Sequence, residues 1–179
     1  MKELGKGQYG SVFMVANKKT KELYALKIVL KKIIEENNMQ KHIISEKHVL
    51  EKLNFPFTLK LYKSFQDKHA IYFLTNVING IELFEMIREI GLINAKQTRF
   101  YVGIIILTLE YFHRKNIVYR DLKPENIMVD EQGYVYLIDM GVAKDLGESK
   151  GHTSTILGTP HYMAPEIIQG RSYNHMIDL

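Results

Sequence analysis

Asp121 and Asp139 stand on either side of a stretch that reads as a β-hairpin, and this arrangement constrains the chain more than any other feature. Ile127 to Val129 and Tyr134 to Ile138 are short strand-like runs, and Gly133 between them supplies the turn. Closing that hairpin lets the two acids face one another across a cleft. Asp121 belongs to Tyr119-Arg120-Asp121-Leu122-Lys123-Pro124-Glu125-Asn126, and Asp139 opens Asp139-Met140-Gly141. An acid, an ammonium, an amide and a second acid around one small loop can position a hydroxyl, neutralise a transferring phosphate and hold magnesium.

The hydrophobic period changes along the chain. From Lys2 to about Val29 it is strand-like, with Val12, Phe13 and Val15, then Leu23, Ala25, Leu26, Ile28 and Val29. Between about Met39 and Leu53 it becomes helical: Ile43, Glu46, Leu50 and Leu53 recur at spacings of three and four, so a carboxylate shares the apolar face. Asn54-Phe55-Pro56 stops that helix. Leu59 to Phe65 and Ala70 to Val77 read as strands, and Asn79-Gly80 marks a break. We expect a small β-rich lobe over 1–78 and a mainly helical one over 79–179. In the second, Ala95 to Arg114 predicts a long helix with Phe100, Ile104, Leu107 and Tyr111 inward, and Ile104-Ile105-Ile106 argues for burial nearly all round.

Composition excludes several functions. The 24 basic and 20 acidic side chains are scattered, and the net charge of +4 gives no basic stripe for nucleic acid. The absence of cysteine rules out disulfides and Cys-ligated zinc and suits a cytoplasmic location. The seven histidines lack metal-ligand spacing. Val102 to Leu109, the most apolar run, is too short to span a bilayer, and Met1 to Val15 has no hydrophobic signal core.

Gly5-Lys6-Gly7-Gln8-Tyr9-Gly10-Ser11-Val12 is a G-x-G-x-x-G-x-V loop, in which glycines let backbone N–H groups approach phosphates. Alone it is also a tight hairpin, or a dinucleotide-binding turn opening a helix. The latter requires a helix after Gly10, whereas Ser11 to Val15 is strand-like. Lys27 is an ammonium inside the apolar strand Tyr24-Ala25-Leu26-Lys27-Ile28. A lysine there can simply point to water, but Glu46 on the apolar face of the next helix explains it better. Each charge is costly inside unless it meets the other.

These motifs, with Asn54-Phe55-Pro56-Phe57 and Gly158-Thr159-Pro160-His161-Tyr162-Met163-Ala164-Pro165-Glu166, resemble the serine/threonine protein kinases of the cyclic-nucleotide-dependent group. Within it the resemblance is strongest to cyclic-GMP-dependent kinases. It covers essentially the whole chain, with the motifs in family order. The implied fold is α+β and bilobal: a small antiparallel β-sheet lobe with one helix, and a mainly helical lobe that is incomplete here. The implied activity is transfer of the γ-phosphate of ATP, with Mg2+, to Ser/Thr hydroxyls of protein substrates.

The resemblance also implies roles. Asp121 would orient the substrate hydroxyl and accept its proton late, Lys123 would offset charge on the γ-phosphate, and Asn126 and Asp139 would hold magnesium. Leu4, the glycine loop, Val12, Ala25, Leu83 and Met128 would enclose the nucleotide. Thr75 would back the pocket, with Asn76 and Val77 as hinge, and Glu46 would hold Lys27 against the α- and β-phosphates. The plainer reading of the apolar members is core packing. Thr153, with Thr155 as the near alternative, resembles the activating phosphorylation site, its phosphate meeting Arg120 and Lys144. Glu82 and Glu125 resemble acids that select basic substrates, with Thr159 beside them; each acid also suits a solvated surface.

There are departures. Met140 replaces the usual Phe, and His161 stands where some relatives carry a substrate-selecting acid. The strand entering the glycine loop is nearly absent, and the sequence ends just after Asp178, whose counterparts open a buried helix that anchors the catalytic loop. Further helices would then be expected beyond this sequence, with an arginine that would pair with Glu166, expected to be a buried acid. Isolated, the chain is expected to be unstable or aggregation-prone. A kinase-like fragment that only binds nucleotide or a partner remains an alternative, as does a small-molecule phosphotransferase. A regulatory cyclic-nucleotide region would lie outside this sequence.

Overall fold

The computed structural model describes residues 2–7, 10–147 and 151–179. Five antiparallel strands form the first sheet, in the order β1-β2-β3-β5-β4: β1 Lys2–Gly7, β2 Gly10–Ala16, β3 Leu23–Leu30, β4 Leu61–Gln66 and β5 Ala70–Asn76. Gly10 packs so closely on β3 that a Cβ there would lie 2.0 Å from the Ile28 carbonyl oxygen, so only glycine fits. Its role is to close β2 onto β3, besides any role toward phosphate.

Side chains two apart on a strand share a face, so Lys27 points the same way as buried Ala25 and Val29. Two helices cross that face, α1 Lys31–Glu36 and α2 Gln40–Lys52. The expected helix is α2. α1 was not expected: it is six residues long and buries Ile34 alone, too short to show a period. The β-rich part thus carries two helices, not one.

After β6 Gly80–Glu82 and α3 Leu83–Ile90 comes α4 Ala95–Arg114, the predicted long helix. Asn94 caps it by accepting the Lys96 and Gln97 amides at 3.0 Å each, and Asn116 leaves it with a positive φ of 57°. Its buried side chains are Tyr101, Ile104, Thr108, Leu109 and Phe112. Phe100 and Leu107, expected inward, are 48% and 52% exposed, and Ile106 is 50% exposed. Tyr111 is half-buried. The helix is therefore one-sided, because no described element packs over its second apolar face. No described helix is long and apolar enough to cross a membrane.

β7 Ile117–Val118 leads into the loop of Asp121. β8 Ile127–Asp130 and β9 Val135–Leu137 are the expected hairpin, with Gly133 at φ 87° and with β6 added beside β8. β10 Lys144–Asp145 pairs antiparallel with β7, α5 Pro165–Ile168 follows, and His175–Asp178 forms a 3-10 turn. Met140, 1% exposed, joins the core cluster that also holds Val29, Leu50, Phe73, Phe112 and Tyr119, so it fills the space expected of a larger ring.

Candidate active site

Lys27 and Glu46 meet as the sequence suggested. Lys27 Nζ lies 2.5 Å from Glu46 Oε1, the lysine side chain 25% exposed and the glutamate 5%. β3 delivers the ammonium and α2 the carboxylate, which sits among Ile43, Val49 and Leu50. Burial works against the Lys27 charge, but Glu46 and then Asp139 outweigh it and hold the ammonium above its usual pKa. Asp139 is therefore near the same cation.

Asp121 is the hub of the loop. Its Oδ1 accepts the Thr159 amide at 2.9 Å and the Thr159 hydroxyl at 2.6 Å; its Oδ2 accepts Asn126 Nδ2 at 2.7 Å and faces Lys123 Nζ at 3.0 Å. Lys123 also donates to Thr159 Oγ1 at 2.6 Å. Burial would raise the Asp121 pKa, yet the donors Thr159, Lys123 and Asn126 together bring it below the ordinary carboxylate value. An ionised Asp121 is an acceptor that orients a hydroxyl and a weak base for taking its proton.

The loop is held from below. Asp178, 6% exposed, accepts the Tyr119 amide at 2.9 Å and the Arg120 amide at 2.8 Å, with His113 Nε2 at 2.9 Å. Tyr119 is fully buried; desolvation first, then the charges of Asp139 and Asp121, push its phenol far above its usual pKa and keep it neutral. Both acids are thus near one ring. Arg120 has φ 72°, unusual for a non-glycine, and its guanidinium donates to the Val142 carbonyl at 2.6 Å and the Tyr173 hydroxyl at 3.2 Å.

Among the described residues no three His, Asp or Glu side chains gather to hold a metal unaided. Asp139 and Asn126 offer two hard oxygen donors near Lys27 and Asp121. That set fits magnesium brought with phosphate oxygens, since this ion takes one or two protein donors and keeps other ligands.

The remaining expected residues fall into place unevenly. Ala25 is opposite Thr75 and Val12 opposite Lys27 in the sheet, with Ala25 and Thr75 buried and Met128 and Val77 half-buried. Asn76 accepts the Lys60 amide at 2.7 Å, so its side chain tethers β4 to the end of β5. Leu4, Gly5 and Lys6 are exposed on β1; Gly7 and Ser11 are opposite Gly10 and Lys6 in the β1–β2 pairing. Gln8 and Tyr9 lie outside the described residues. Burial, then Glu85 and Glu125, raise the Glu82 pKa, so these three acids are neighbours.

Lys144 Nζ donates to the Thr153 hydroxyl at 2.8 Å, whereas Arg120 reaches Tyr173. Thr153 is 8% exposed; Thr155 is exposed, its hydroxyl 3.2 Å from that of Thr153. Glu166, expected to be a buried acid, is only half-buried, which weakens the cost of leaving it unpaired. Sequence reasoning missed Asp145, which joins Lys52 and His48 of α2. No motif marks it.

A model of the protein kinase domain matches residues 1–179. The chain belongs to the protein kinase domain family. It is similar to a cGMP-dependent protein kinase of Plasmodium berghei (strain Anka), 47% identical over 176 residues. That match covers 98% of this kinase domain chain and 20% of the relative. A cGMP-dependent protein kinase of Eimeria tenella is 45% identical over 175 residues, covering 98% of this chain and 17% of the relative. The serine/threonine-protein kinase sgk-1 of Caenorhabditis elegans is 42% identical over 176 residues, 98% of this chain and 38% of that protein. The kinase domain chain thus spans about a fifth of the length of the first two relatives.

Proposed function

We propose that this chain is the nucleotide-binding and catalytic-loop part of a kinase that transfers the γ-phosphate of ATP to Ser/Thr hydroxyls of proteins. The observation that carries it is the convergence on Asp121. A carboxylate held by Thr159, Lys123 and Asn126 shares the surroundings of the Tyr119 ring with a second acid, Asp139, whose charge also reaches Lys27 of the Lys27–Glu46 pair.

Residues 1–78 would form one lobe and 79–179 the other, with nucleotide between them. Lys27, held by Glu46, would contact the α- and β-phosphates; Leu4 to Val12 would cover them; Ala25, Thr75, Asn76, Val77 and Met128 would surround the base. Bound through Asn126 and Asp139, Mg2+ would offset phosphate charge. Asp121 would receive the substrate hydroxyl as hydrogen-bond donor and fix its direction. Lys123, already shared between Asp121 and Thr159, would place an ammonium beside the transferred group. Glu82, Glu125 and the neighbouring Glu85 make a negative patch that favours Arg- or Lys-rich substrates. Likeness to cGMP-dependent kinases supports a cyclic-nucleotide-regulated protein, with its regulatory region elsewhere.

Radiolabelled phosphate transfer from Mg-ATP by the full-length protein tests this. Asp121→Ala is expected to lower kcat by roughly 10²–10⁴-fold. Equal rates for the two proteins would reject the reading. Equal rates on neutral and basic peptides would reject the substrate preference alone.

A further inference from the structure

β10 is two residues long and touches three parts of the site. Lys144 pairs with Val118 and Asp145 with Ile117, on the strand that enters Tyr119-Arg120-Asp121. Alternation sends the two side chains opposite ways. Lys144 turns to Thr153, as described above. Asp145 turns to α2: its Oδ2 meets Lys52 Nζ and lies 3.2 Å from His48 Nε2, while its Oδ1 accepts the Gly147 amide at 2.8 Å. Ser45 adds a hydrogen bond to the Ala143 carbonyl at 3.3 Å.

Ser45, His48 and Lys52 recur at spacings of three and four, so they form one stripe of α2. Glu46 belongs to the adjoining stripe with Ile43, Val49 and Leu50, which packs on the sheet. The Tyr111 hydroxyl accepts the Asn54 amide at 2.8 Å and so fixes the chain just beyond the end of α2. With that end held, the polar stripe adds to the apolar face a second set of contacts that resist rotation of the helix about its axis. The carboxylate at its centre is 12% exposed, shielded enough for the pairing to matter, against 40% for Lys52 and 51% for His48.

We infer that Asp145 is a positioning residue: by gripping Lys52 and His48 it holds α2 in the rotation that aims Glu46 at Lys27. The segment that begins at Asp139 then does two things. Its first residue, Asp139, would supply a metal-binding acid, and Asp145 further along would order the helix on which the phosphate-binding lysine depends. The inference rests on the proposed roles of Lys27 and Glu46 for its catalytic meaning, but the grip itself can be tested without catalysis.

The test uses the full-length protein. Asp145→Asn keeps an oxygen for the Gly147 amide and removes the charge that Lys52 meets. Labelling of Lys27 by an amine-acylating reagent is followed by mass spectrometry from about pH 7 to about pH 11, since only the free amine reacts. Without Glu46 opposite, the midpoint of labelling is expected to fall by about one pH unit or more, as in Glu46→Gln, because an opposite charge at contact shifts a pKa that far. Asp145→Glu restores the charge and is expected to return the midpoint. In phosphate transfer, Asp145→Asn is expected to raise KM for ATP about tenfold, with a smaller change in kcat.

If Asp145→Asn keeps the parent midpoint while Glu46→Gln moves it, the inference is wrong. It is equally wrong if Asp145→Glu behaves like Asp145→Asn. Should Asp145→Asn fail to fold, Lys52→Ala removes the pair from its exposed side and is judged by the same midpoint. A parent protein that transfers no phosphate would reject the proposed function, and the labelling result would still decide the role of Asp145.

Discussion

Asp178 accepts the backbone amide of Arg120 at 2.8 Å across 58 positions of chain. Arg120 needs such a partner, because its φ of 72° is a left-handed conformation that costs a non-glycine residue on the order of 1–2 kcal/mol. The neighbouring Tyr119 amide is held by the same carboxylate. Removing the acceptors in Asp178→Ala leaves two buried donors unsatisfied, at about 1–3 kcal/mol each. Urea unfolding of the full-length protein is expected to show that loss, together with lower kcat as Asp121 loses its support. An unchanged midpoint would contradict it.

Gly158 abuts the same residue. With φ 124°, its Cβ would lie 2.6 Å from the Arg120 carbonyl oxygen, which is backbone and cannot swing aside. Gly158→Ala is therefore expected to destabilise the protein by about 1–3 kcal/mol and to displace Thr159 from Asp121. Loss of kcat with KM for ATP retained would distinguish this local effect from general unfolding.

Carboxylates set the acid limit of stability. Asp67 is brought down to about 2 by the His69 and Ala70 amides. Asp121 and Asp145 are also lowered: burial opposes this, but Thr159, Lys123 and Asn126 prevail for the first, and Lys52, the Gly147 amide and His48 for the second. A lowered folded-state pKa means that the proton binds the unfolded chain more tightly. The stabilisation is complete above the ordinary carboxylate range and fades as pH falls through the folded values. Glu82, raised chiefly by burial, opposes the trend weakly. The unfolding midpoint is expected to stay level from about pH 7 to about pH 5 and to decline below about pH 4. Lys27, held above its ordinary value, sets the opposite limit: its contribution is present below the usual lysine pKa and disappears as pH rises beyond the folded value.

Phosphorylation is expected on Thr155 before Thr153. A modifying enzyme must reach the hydroxyl, and Thr153 is 8% exposed and already bonded to Lys144, whereas Thr155 is exposed. Burial first, then the Arg120 charge, lower the Lys144 pKa, so this corner holds two cations that a phosphate would satisfy. Mass spectrometry of active protein, compared with Thr155→Ala and Thr153→Ala, checks the order. Modification of Thr153 alone would refute it.

Residues 1–179 expressed alone are expected to self-associate. Phe84, Ile87 and Ile90 of α3 are 42%, 38% and 60% exposed, and Leu92 just beyond them is 100% exposed. Phe100, Val102, Ile106 and Leu107 of α4 are 45–52% exposed. Large uncovered apolar surface drives association. Light scattering that found a monodisperse monomer with a cooperative thermal transition would overturn this.

Much of the site was legible. Lys27 and Glu46 each looked anomalous on an apolar face, and one contact resolves both anomalies. The hairpin after Asn126 followed from strand-like runs about Gly133, and α4 from its period, while its Asn94 cap was not read from the sequence. α1 was hidden because six residues show no reliable period. The orientation of α4 misled because an all-apolar run predicts burial only where something covers it. Asp145 was invisible, since an acid in a polar stretch looks solvated until the residues it meets are known.

Local chemistry, then, determined which groups could act: periodicity, glycine geometry and the cost of an isolated buried charge are written in neighbouring residues. What the tertiary structure alone decided is how those groups are held. The carboxylate of Asp178 under Arg120, Thr159 on Asp121 and Asp145 on α2 all join residues far apart in the chain. Such contacts depend on where whole elements pack, and no short-range pattern records that.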